Sequence, residues 1–195
     1  KQAFDPGNLF NPGKIVNPHK RDDREIMRFA PGYEPIKLDT KLDWSEWGGI
    51  NRALEMCNNN GACRKSHVGT MCPSYRVTKD EQHLTRGRAN SLRLAITGQL
   101  GPDAFSSEAM YETMDLCVSC KGCKRECPTG IDMARMKIEF LDQYHQRHGT
   151  KMREKLFAYL PRYAPKIKSL HFLLNLRDQI PGLAKISEWM FGLSS

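Results

Sequence analysis

The sequence of 195 residues predicts an all-α fold, with an extended N-terminal segment and a helical C-terminal tail. Between Trp44 and Gly149, apolar residues recur at helical spacing, and almost no stretch alternates like a β-strand. Two cysteine-rich runs interrupt this pattern, each at a corner between predicted helices. We therefore divide the chain into residues 1–42, a helical domain at residues 43–150 and a tail at residues 151–195.

Residues 1–42 contain turn signals but no core pattern of their own. Asp5-Pro6-Gly7 and Asn11-Pro12-Gly13 are turn tripeptides on either side of an apolar pair. Residues 18–42 combine charges and prolines with few apolar residues, which is typical of an interdomain linker. Because the chain opens on Lys1 without an initiator Met, we expect it to be a piece of a longer polypeptide.

The first predicted helix of the domain runs over residues 45–56 and is capped by Asp43 or Ser45. Its predicted buried face consists of Trp47, Ile50 and Leu54. The pair Gly48-Gly49 lies inside this helix, although glycine weakens helices. We interpret the pair as a site of close packing against a neighbouring helix.

Three longer helices are predicted after an irregular stretch at residues 74–86. The first begins at Gly87 and is stopped by Gly101-Pro102, the second spans residues 107–115, and the third is capped by Asp132 and ends at Gly149. Their expected buried residues are Ala89, Leu92, Ile96 and Leu100 in the first, and Met133, Met136, Phe140 and Tyr144 in the third. Pro161, Pro165 and Pro181 are expected to cut the basic, amphipathic tail into short helices, which suits packing on a further domain or a membrane surface.

The strongest functional signal is the run from Cys117 to Pro128, with the spacing C-x2-C-x2-C-x3-C-P. This spacing is typical of bacterial ferredoxins, in which the first three cysteines bind one [4Fe-4S] cluster and the fourth ligates a neighbouring cluster. Zinc sites usually pair two well-separated elements, and seven cysteines are an odd number for disulfides. The run therefore predicts an iron–sulfur protein that carries electrons.

An earlier run, from Cys57 to Pro73, is a modified copy of the second. Asn60 stands at the position of the second cysteine, and eight residues instead of three separate the last two cysteines. Because paired ferredoxin motifs exchange their fourth ligands, one complete [4Fe-4S] site is predicted. Its ligands are Cys72, Cys117, Cys120 and Cys123.

The same exchange leaves Cys57, Cys63 and Cys127 as a second, incomplete set. This set could hold a [3Fe-4S] centre, hold a [4Fe-4S] cluster with a non-cysteine fourth ligand, or be an empty remnant. Asn60 and His67 are the nearest candidates for that ligand. Asn binds soft iron weakly, and a nearby His is more often structural than a ligand.

The net charge of +8 would suit nucleic acid, an acidic partner or an anionic membrane surface. The basic residues are dispersed, however, so we expect a solvated surface and no nucleic acid. Arg86, Arg88 and Arg93 could bind an anion but are expected on a solvated helix face. Three other cations lie between cluster ligands, where positive charge favours an extra electron: Lys121, Lys124 and Arg125.

No transmembrane stretch or signal peptide is visible in the sequence. Seven cysteines intended for metal binding indicate a reducing compartment. We therefore predict a cytoplasmic location, with peripheral contact at the inner face of the membrane as an alternative.

Several short motifs together resemble one family. They are Asp43-Trp44, Gly48-Gly49, Glu55-Met56-Cys57-Asn58, Met71-Cys72-Pro73-Ser74-Tyr75, Thr85-Arg86-Gly87-Arg88-Ala89-Asn90 and the second cysteine run. This combination resembles the alpha-helical ferredoxin region of FAD-linked D-2-hydroxy-acid dehydrogenases of the fused flavin/iron–sulfur type, which oxidise 2-hydroxyglutarate or lactate. Within residues 1–17, Phe4-Asp5-Pro6 followed by the segment from Leu9 to Lys14 similarly resembles the closing segment of FAD-linked oxidases of the vanillyl-alcohol oxidase type.

The resemblance implies an FAD domain upstream of this chain and a cysteine-rich domain downstream. It also implies that Asn11, Gly13 and Lys14 contact the flavin domain. The whole protein would oxidise a D-2-hydroxy acid to the 2-oxo acid, and this segment would pass electrons from FAD through [4Fe-4S] to an acceptor. The chain itself would contain no catalytic residue and would be inactive alone.

Two alternatives remain open at this point. One is a freestanding iron–sulfur subunit similar to those of anaerobic glycerol-3-phosphate dehydrogenase or succinate dehydrogenase. The other is a non-redox helical scaffold that a cluster or zinc holds together.

Overall fold

The computed structural model describes residues 1–27, 29, 32–167, 176, 179, 180 and 182–191. Every regular element within these residues is a helix, which confirms the predicted all-α class. The α-helices are α1 (Ile50–Glu55), α2 (Pro73–Thr78), α3 (Thr85–Ile96), α4 (Glu108–Asp115), α5 (Gly122–Glu126), α6 (Met133–His148), α7 (Met152–Ala158), α8 (Leu160–Ile167) and α9 (Leu183–Phe191). Short 3-10 helices cover Arg24–Ile26, Ser45–Trp47, Ala62–Arg64, Glu81–His83 and Ala104–Ser106.

The core lies where α1, α4 and α6 pack against α3. The predicted apolar stripe of α6 is confirmed, since all four of its members are buried. The stripe of α3 is confirmed for its first three members but not for Leu100, which is 53% exposed. The reason is that α3 ends at Ile96, followed by Gly98 with a φ of +75°.

The predicted helix over residues 45–56 is interrupted in its middle. A 3-10 turn ends at Trp47, and α1 begins only at Ile50, because Gly48 and Gly49 have φ values of +74° and +121°. A right-handed helix requires negative φ at each residue. The glycine pair therefore redirects the chain instead of allowing close helix packing, while Leu54 is buried as predicted.

The stretch at residues 74–86 is more regular than predicted. It contains most of α2 and the 3-10 helix Glu81–His83. Pro73 occupies the first turn of α2, where a missing N–H costs no intrahelical hydrogen bond. Elements this short contain too few apolar residues to show a helical period.

The tail differs from its prediction at one proline. The helical run breaks between Ala158 and Leu160, directly before Pro161 as predicted, whereas Pro165 lies inside α8. Pro161 lies in the first turn of α8, where its missing N–H has no intrahelical partner. Pro181 and most of the stretch between α8 and α9 lie outside the described residues. No helix in the described part of the chain is long and apolar enough to cross a bilayer.

The end of the predicted linker is attached to the helical domain. The N–H of Ile36 donates to the carbonyl of Ile96 at 2.8 Å. The side-chain amide of Gln143 donates to the carbonyl of Asp39 at 2.9 Å. These bonds join the linker to α3 and α6, while the predicted domain boundary at residue 43 remains a prediction.

The carboxylate of Glu139 provides the third attachment of the linker. Glu139 is 1% exposed, and its two oxygens accept hydrogen bonds from the backbone N–H groups of Lys41 at 3.1 Å and Leu42 at 2.5 Å. A buried carboxylate is tolerated when such donors satisfy it. The linker thereby supplies the hydrogen-bond donors that a buried carboxylate of α6 needs.

Replacing Glu139 with Ala should lower the free energy of unfolding by about 1–3 kcal/mol, because two N–H groups lose their acceptor. Glu112→Ala is the matched control, since Glu112 is an exposed residue of α4. Urea denaturation of both variants measures the difference. Equal losses in the two variants would show that Glu139 does not fix the linker.

Candidate metal centre

One cavity brings together the four cysteines that are predicted to bind one cluster. Cys72 lies at the start of α2, Cys117 and Cys120 lie in the loop after α4, and Cys123 belongs to α5. The cavity volume between them is about 20 Å³. Within the described residues, no three Cys, His, Asp or Glu side chains converge on a point that could hold one ion. The ferredoxin spacing of Cys117, Cys120 and Cys123 favours a cluster over a single zinc ion, which four ligands would contact directly.

The cavity is closed on one side and open on the other. Cys72 and Cys123 are buried, Cys117 is half-buried, and Cys120 is exposed at the mouth. All seven cysteines are free thiols in this structure. The arrangement shelters one side of a bound group and leaves the other close to the surface.

Hydrogen-bond donors point at two of the buried sulfur atoms. The backbone N–H of Thr85 donates to Sγ of Cys72 at 3.1 Å, and the Thr85 hydroxyl lies 3.0 Å from the same sulfur. The N–H of Met133 donates to Sγ of Cys123 at 3.4 Å. Burial raises the pKa of both thiols, and these hydrogen bonds oppose that effect. Such donors orient metal ligands and stabilise thiolates.

A carboxylate positions the segment that leads to Cys72. Glu126, at the end of α5, accepts hydrogen bonds from the N–H and hydroxyl of Thr70, at 2.7 and 2.8 Å, and from the N–H of Met71 at 3.2 Å. The bonds with Thr70 hold the pKa of Glu126 below its ordinary value. Gly122 permits this approach, since a Cβ there would lie 2.9 Å from Oγ1 of Thr70.

Arg88 also lines the cavity, which corrects its predicted position on a solvated face. The side chain is only 2% exposed. Burial lowers the pKa of Arg88, whereas the charges of Cys117, Cys72 and Cys123 act in the opposite direction. The sequence contains a signal that we missed: Arg88 precedes Leu92 by four residues, which places it on the buried stripe of α3.

The other two arginines of this group have local partners. Arg86 donates to a carboxylate oxygen of Glu81 at 2.6 Å. Arg93 donates to the side-chain oxygen of Asn90 at 2.6 Å. The expected solvated face therefore fits these two residues better than it fits Arg88.

The three cysteines of the second set differ in their surroundings. Cys57 and Cys63 are buried. Burial raises the pKa of Cys63, and the nearby thiols of Cys72 and Cys57 raise it further. Cys127 is half-buried, with its sulfur 3.2 Å from the hydroxyl of Thr129. Burial alone would raise the pKa of Cys127, but hydrogen bonds from Thr129 and the following backbone together place it below the ordinary value.

The two candidates for a fourth ligand of this set are Asn60 and His67. No described contact joins either side chain to a cysteine of the set. The side-chain oxygen of Asn60 accepts the N–H of Ala62 at 2.8 Å, and its amide nitrogen donates to Asn58 at 2.5 Å. His67 is exposed. The amide of Asn60 therefore stabilises its own loop.

The two cysteine loops share a backbone conformation. Asn59 and Ser119 have φ values of +61° and +52°, and Gly61 and Lys121 follow with +77° and +58°. A helical turn starts directly after each loop, at Ala62 and at Gly122. Positive φ is uncommon outside glycine and is concentrated at functional sites. The repeat seen in the sequence therefore extends to the backbone.

The three residues predicted to contact a flavin domain lie in a surface turn. The N–H of Lys14 donates to the carbonyl of Asn11 at 3.4 Å, and Gly13 has a φ of +67°. Apolar side chains around the turn are exposed, among them Phe10 at 73% and Ile15 at 91%. The turn is thus formed, with its apolar neighbours available for contact.

Replacing Glu126 with Gln should accelerate loss of iron from the anaerobically loaded chain severalfold, because one hydrogen-bonding oxygen is replaced by a donor next to Thr70. Iron transfer to a chelator, followed by absorbance, measures the rate. Glu112→Gln, at an exposed position of α4, should release iron at the wild-type rate. Iron release at the wild-type rate in the Glu126 variant would contradict a role of Glu126 in holding Cys72.

Comparisons with known proteins agree with this site. Residues 53–131 match the family model described as a 4Fe-4S dicluster domain. D-2-hydroxyglutarate dehydrogenase of Pseudomonas putida is 28% identical over 222 aligned positions, which cover 94% of this chain and 20% of that protein. The Escherichia coli enzyme of the same name is 27% identical, over 99% of this chain and 22% of its own length.

A third relative is a probable glycolate oxidase iron–sulfur subunit of Bacillus subtilis. It is 28% identical over 51% of this chain and 21% of its own length. No solved structure matches the chain. The predicted resemblance is thus confirmed: residues 53–131 match the model of a 4Fe-4S dicluster domain, and most of the chain is similar to D-2-hydroxyglutarate dehydrogenases, of which it spans about a fifth.

Proposed function

We propose that the chain is the electron-transferring iron–sulfur region of an FAD-dependent dehydrogenase that oxidises a D-2-hydroxy acid of the 2-hydroxyglutarate or lactate class. One observation carries the proposal: Cys72 joins Cys117, Cys120 and Cys123 at a single cavity. These four thiolates would hold a [4Fe-4S] cluster. The names of the related dehydrogenases support the substrate class.

The residues of the chain would fix and tune the bound group. A [4Fe-4S] cluster, once bound, supplies uptake and release of single electrons. Thr85 and Met133 would donate hydrogen bonds to its ligand sulfurs, and the buried side of the cavity would exclude water. The exposed mouth at Cys120 would bring the cluster close to an electron donor or acceptor.

The oxidation itself belongs, in this proposal, to a flavin domain upstream. FAD would supply removal of a hydride from the carbon that bears the hydroxyl group, with loss of the hydroxyl proton, to leave a 2-oxo acid. The two electrons would then pass singly through this chain. Asn11, Gly13 and Lys14 would contact the flavin domain, which suits the exposed apolar residues around them. A cysteine-rich domain downstream and a cytoplasmic, reducing location complete the proposal.

Cys57, Cys63 and Cys127 would form the second iron site. The dicluster family model and the repeated loop conformation support this assignment. Three thiolates suit a [3Fe-4S] centre, because Asn60 already bonds within its own loop. Asn is also a weak ligand for iron.

A freestanding iron–sulfur subunit is the second candidate. The relative from Bacillus subtilis, named as a subunit, favours it over about half of the chain. Residues 1–17, which carry the resemblance to a flavin-domain tail, favour the fused arrangement instead. A non-redox scaffold, or a zinc-holding one, would be indicated by a metal centre that dithionite does not reduce.

The iron and acid-labile sulfide of the anaerobically purified chain, with EPR spectra before and after dithionite, test the cluster assignment. We expect about seven irons, a signal from the three-iron centre before reduction and one from the cube after it. Cys72→Ser should abolish the second signal, because it removes a ligand of the cube, and Cys63→Ser should abolish the first. About four irons would leave Cys57, Cys63 and Cys127 as a remnant, and zinc or no metal would contradict the proposal.

The chain alone should not reduce a dye in the presence of D-2-hydroxyglutarate or D-lactate, since it lacks a flavin. The polypeptide extended upstream by its flavin domain should do so, and substrate should also produce the EPR signal of the reduced cube. Cys72→Ser in the extended protein should leave flavin bleaching by substrate intact but abolish the cluster signal. Dye reduction by the chain alone would refute this division of labour.

A further inference from the structure

Arg88 contributes a buried positive charge to the wall of the four-cysteine cavity. Its guanidinium forms three hydrogen bonds: Nε donates to the carbonyl of Thr113 at 2.9 Å, Nη1 to the carbonyl of His83 at 2.6 Å, and Nη2 to Oγ of Ser74 at 3.2 Å. All three acceptors are neutral. These bonds fix the orientation of the side chain without compensating its charge.

A buried charge is costly unless an opposite charge compensates it. Within the described residues, no carboxylate forms an ion pair with Arg88. The acidic groups that act on it are the thiols of Cys72, Cys117 and Cys123. Among the described groups, the cavity thiols are the ones that could supply negative charge to Arg88.

An iron–sulfur cube with four thiolate ligands has the required sign. Its net charge is negative, and it becomes more negative when the cube takes up an electron. A fixed cation beside it therefore stabilises the reduced form more than the oxidised form. The effect is large where water is excluded, because the effective dielectric constant is low.

The other cations near the cysteines are placed less favourably. Lys121, Lys124 and Arg125 are exposed, so water and salt screen their charges. Lys124 also lies 3.7 Å from a carboxylate oxygen of Asp132. Lys137 is half-buried but donates to the carbonyl of Cys117 at 2.7 Å, outside the four-cysteine cavity lining. Lys121 also lines the cavity but is exposed, whereas Arg88 combines a place in the cavity wall with burial and fixed orientation.

On the basis of the proposed function, we propose that Arg88 is the built-in counter-charge of the cluster held by Cys72, Cys117, Cys120 and Cys123, and that it raises the reduction potential of that cluster. Arg88 is a positioning residue in this scheme, since it binds no iron. Its positive charge would stabilise the reduced form of the cluster. The exposed lysines, which the sequence suggests for this role, contribute less.

EPR-monitored redox titration of the full chain, loaded with iron and sulfide under anaerobic conditions, tests the inference. We expect Arg88→Gln to lower the ratio of reduced to oxidised cluster at a fixed potential at least tenfold, which is a shift of about 59 mV for one electron. Arg88→Lys retains the positive charge, so the ratio of reduced to oxidised cluster should stay close to the wild-type value. Lys121→Gln, which removes an exposed charge, should change the ratio less than threefold.

An Arg88→Gln protein with wild-type iron content and an unchanged midpoint would overturn the inference. If Arg88→Gln does not fold or does not retain iron, a triple variant with Lys121→Gln, Lys124→Gln and Arg125→Gln tests whether the exposed cations set the potential instead. A shift smaller than tenfold in that variant supports Arg88 as the dominant charge, and a larger one overturns it. A wild-type chain without a reducible cluster would instead refute the proposed function, and the inference with it.

Discussion

Formation of the four-cysteine cavity depends on holding the segment before Cys72 against the helix that carries Cys123. Glu126 provides this link, since one carboxylate bonds three donors in residues 70 and 71. Gly122 allows the two segments to approach. With Cys72 fixed in this way, α2 begins at Pro73, and Thr85 at the start of α3 reaches the Cys72 sulfur. The two cysteine runs therefore form one site through ordinary hydrogen bonds as well as through any metal they bind.

The parts of the fold that the sequence predicted are those that repeat or that chemistry constrains. The apolar stripe of α6 recurs over several turns, so its period is visible without a structure. The cysteine spacing reflects how thiolates reach the irons of a cluster, and the structure brings the four expected cysteines to one cavity. The assignment of those cysteines as ligands remains a prediction.

The features that escaped prediction depend on partners distant in the sequence. Arg88 and Glu139 are charged residues on helices, and composition alone favours an exposed position for both. Distant carbonyl groups accept the hydrogen bonds of Arg88, and the N–H groups of residues 41 and 42 donate to Glu139. Similarly, the break at Gly48-Gly49 depends on the sign of φ, which a glycine pair permits but does not specify.

The exposure of Cys120 also has a consequence for chemical durability. An opening that places a cluster near its redox partner gives dioxygen and peroxide the same access to the ligand sulfur, and oxidation of an accessible thiolate is progressive and partly irreversible. The three other thiols of the site are more sheltered. In the proposed site, damage would therefore begin at the corner of the cluster that Cys120 holds. A neighbouring domain seated over this corner would serve as electron acceptor and as a shield against oxidants.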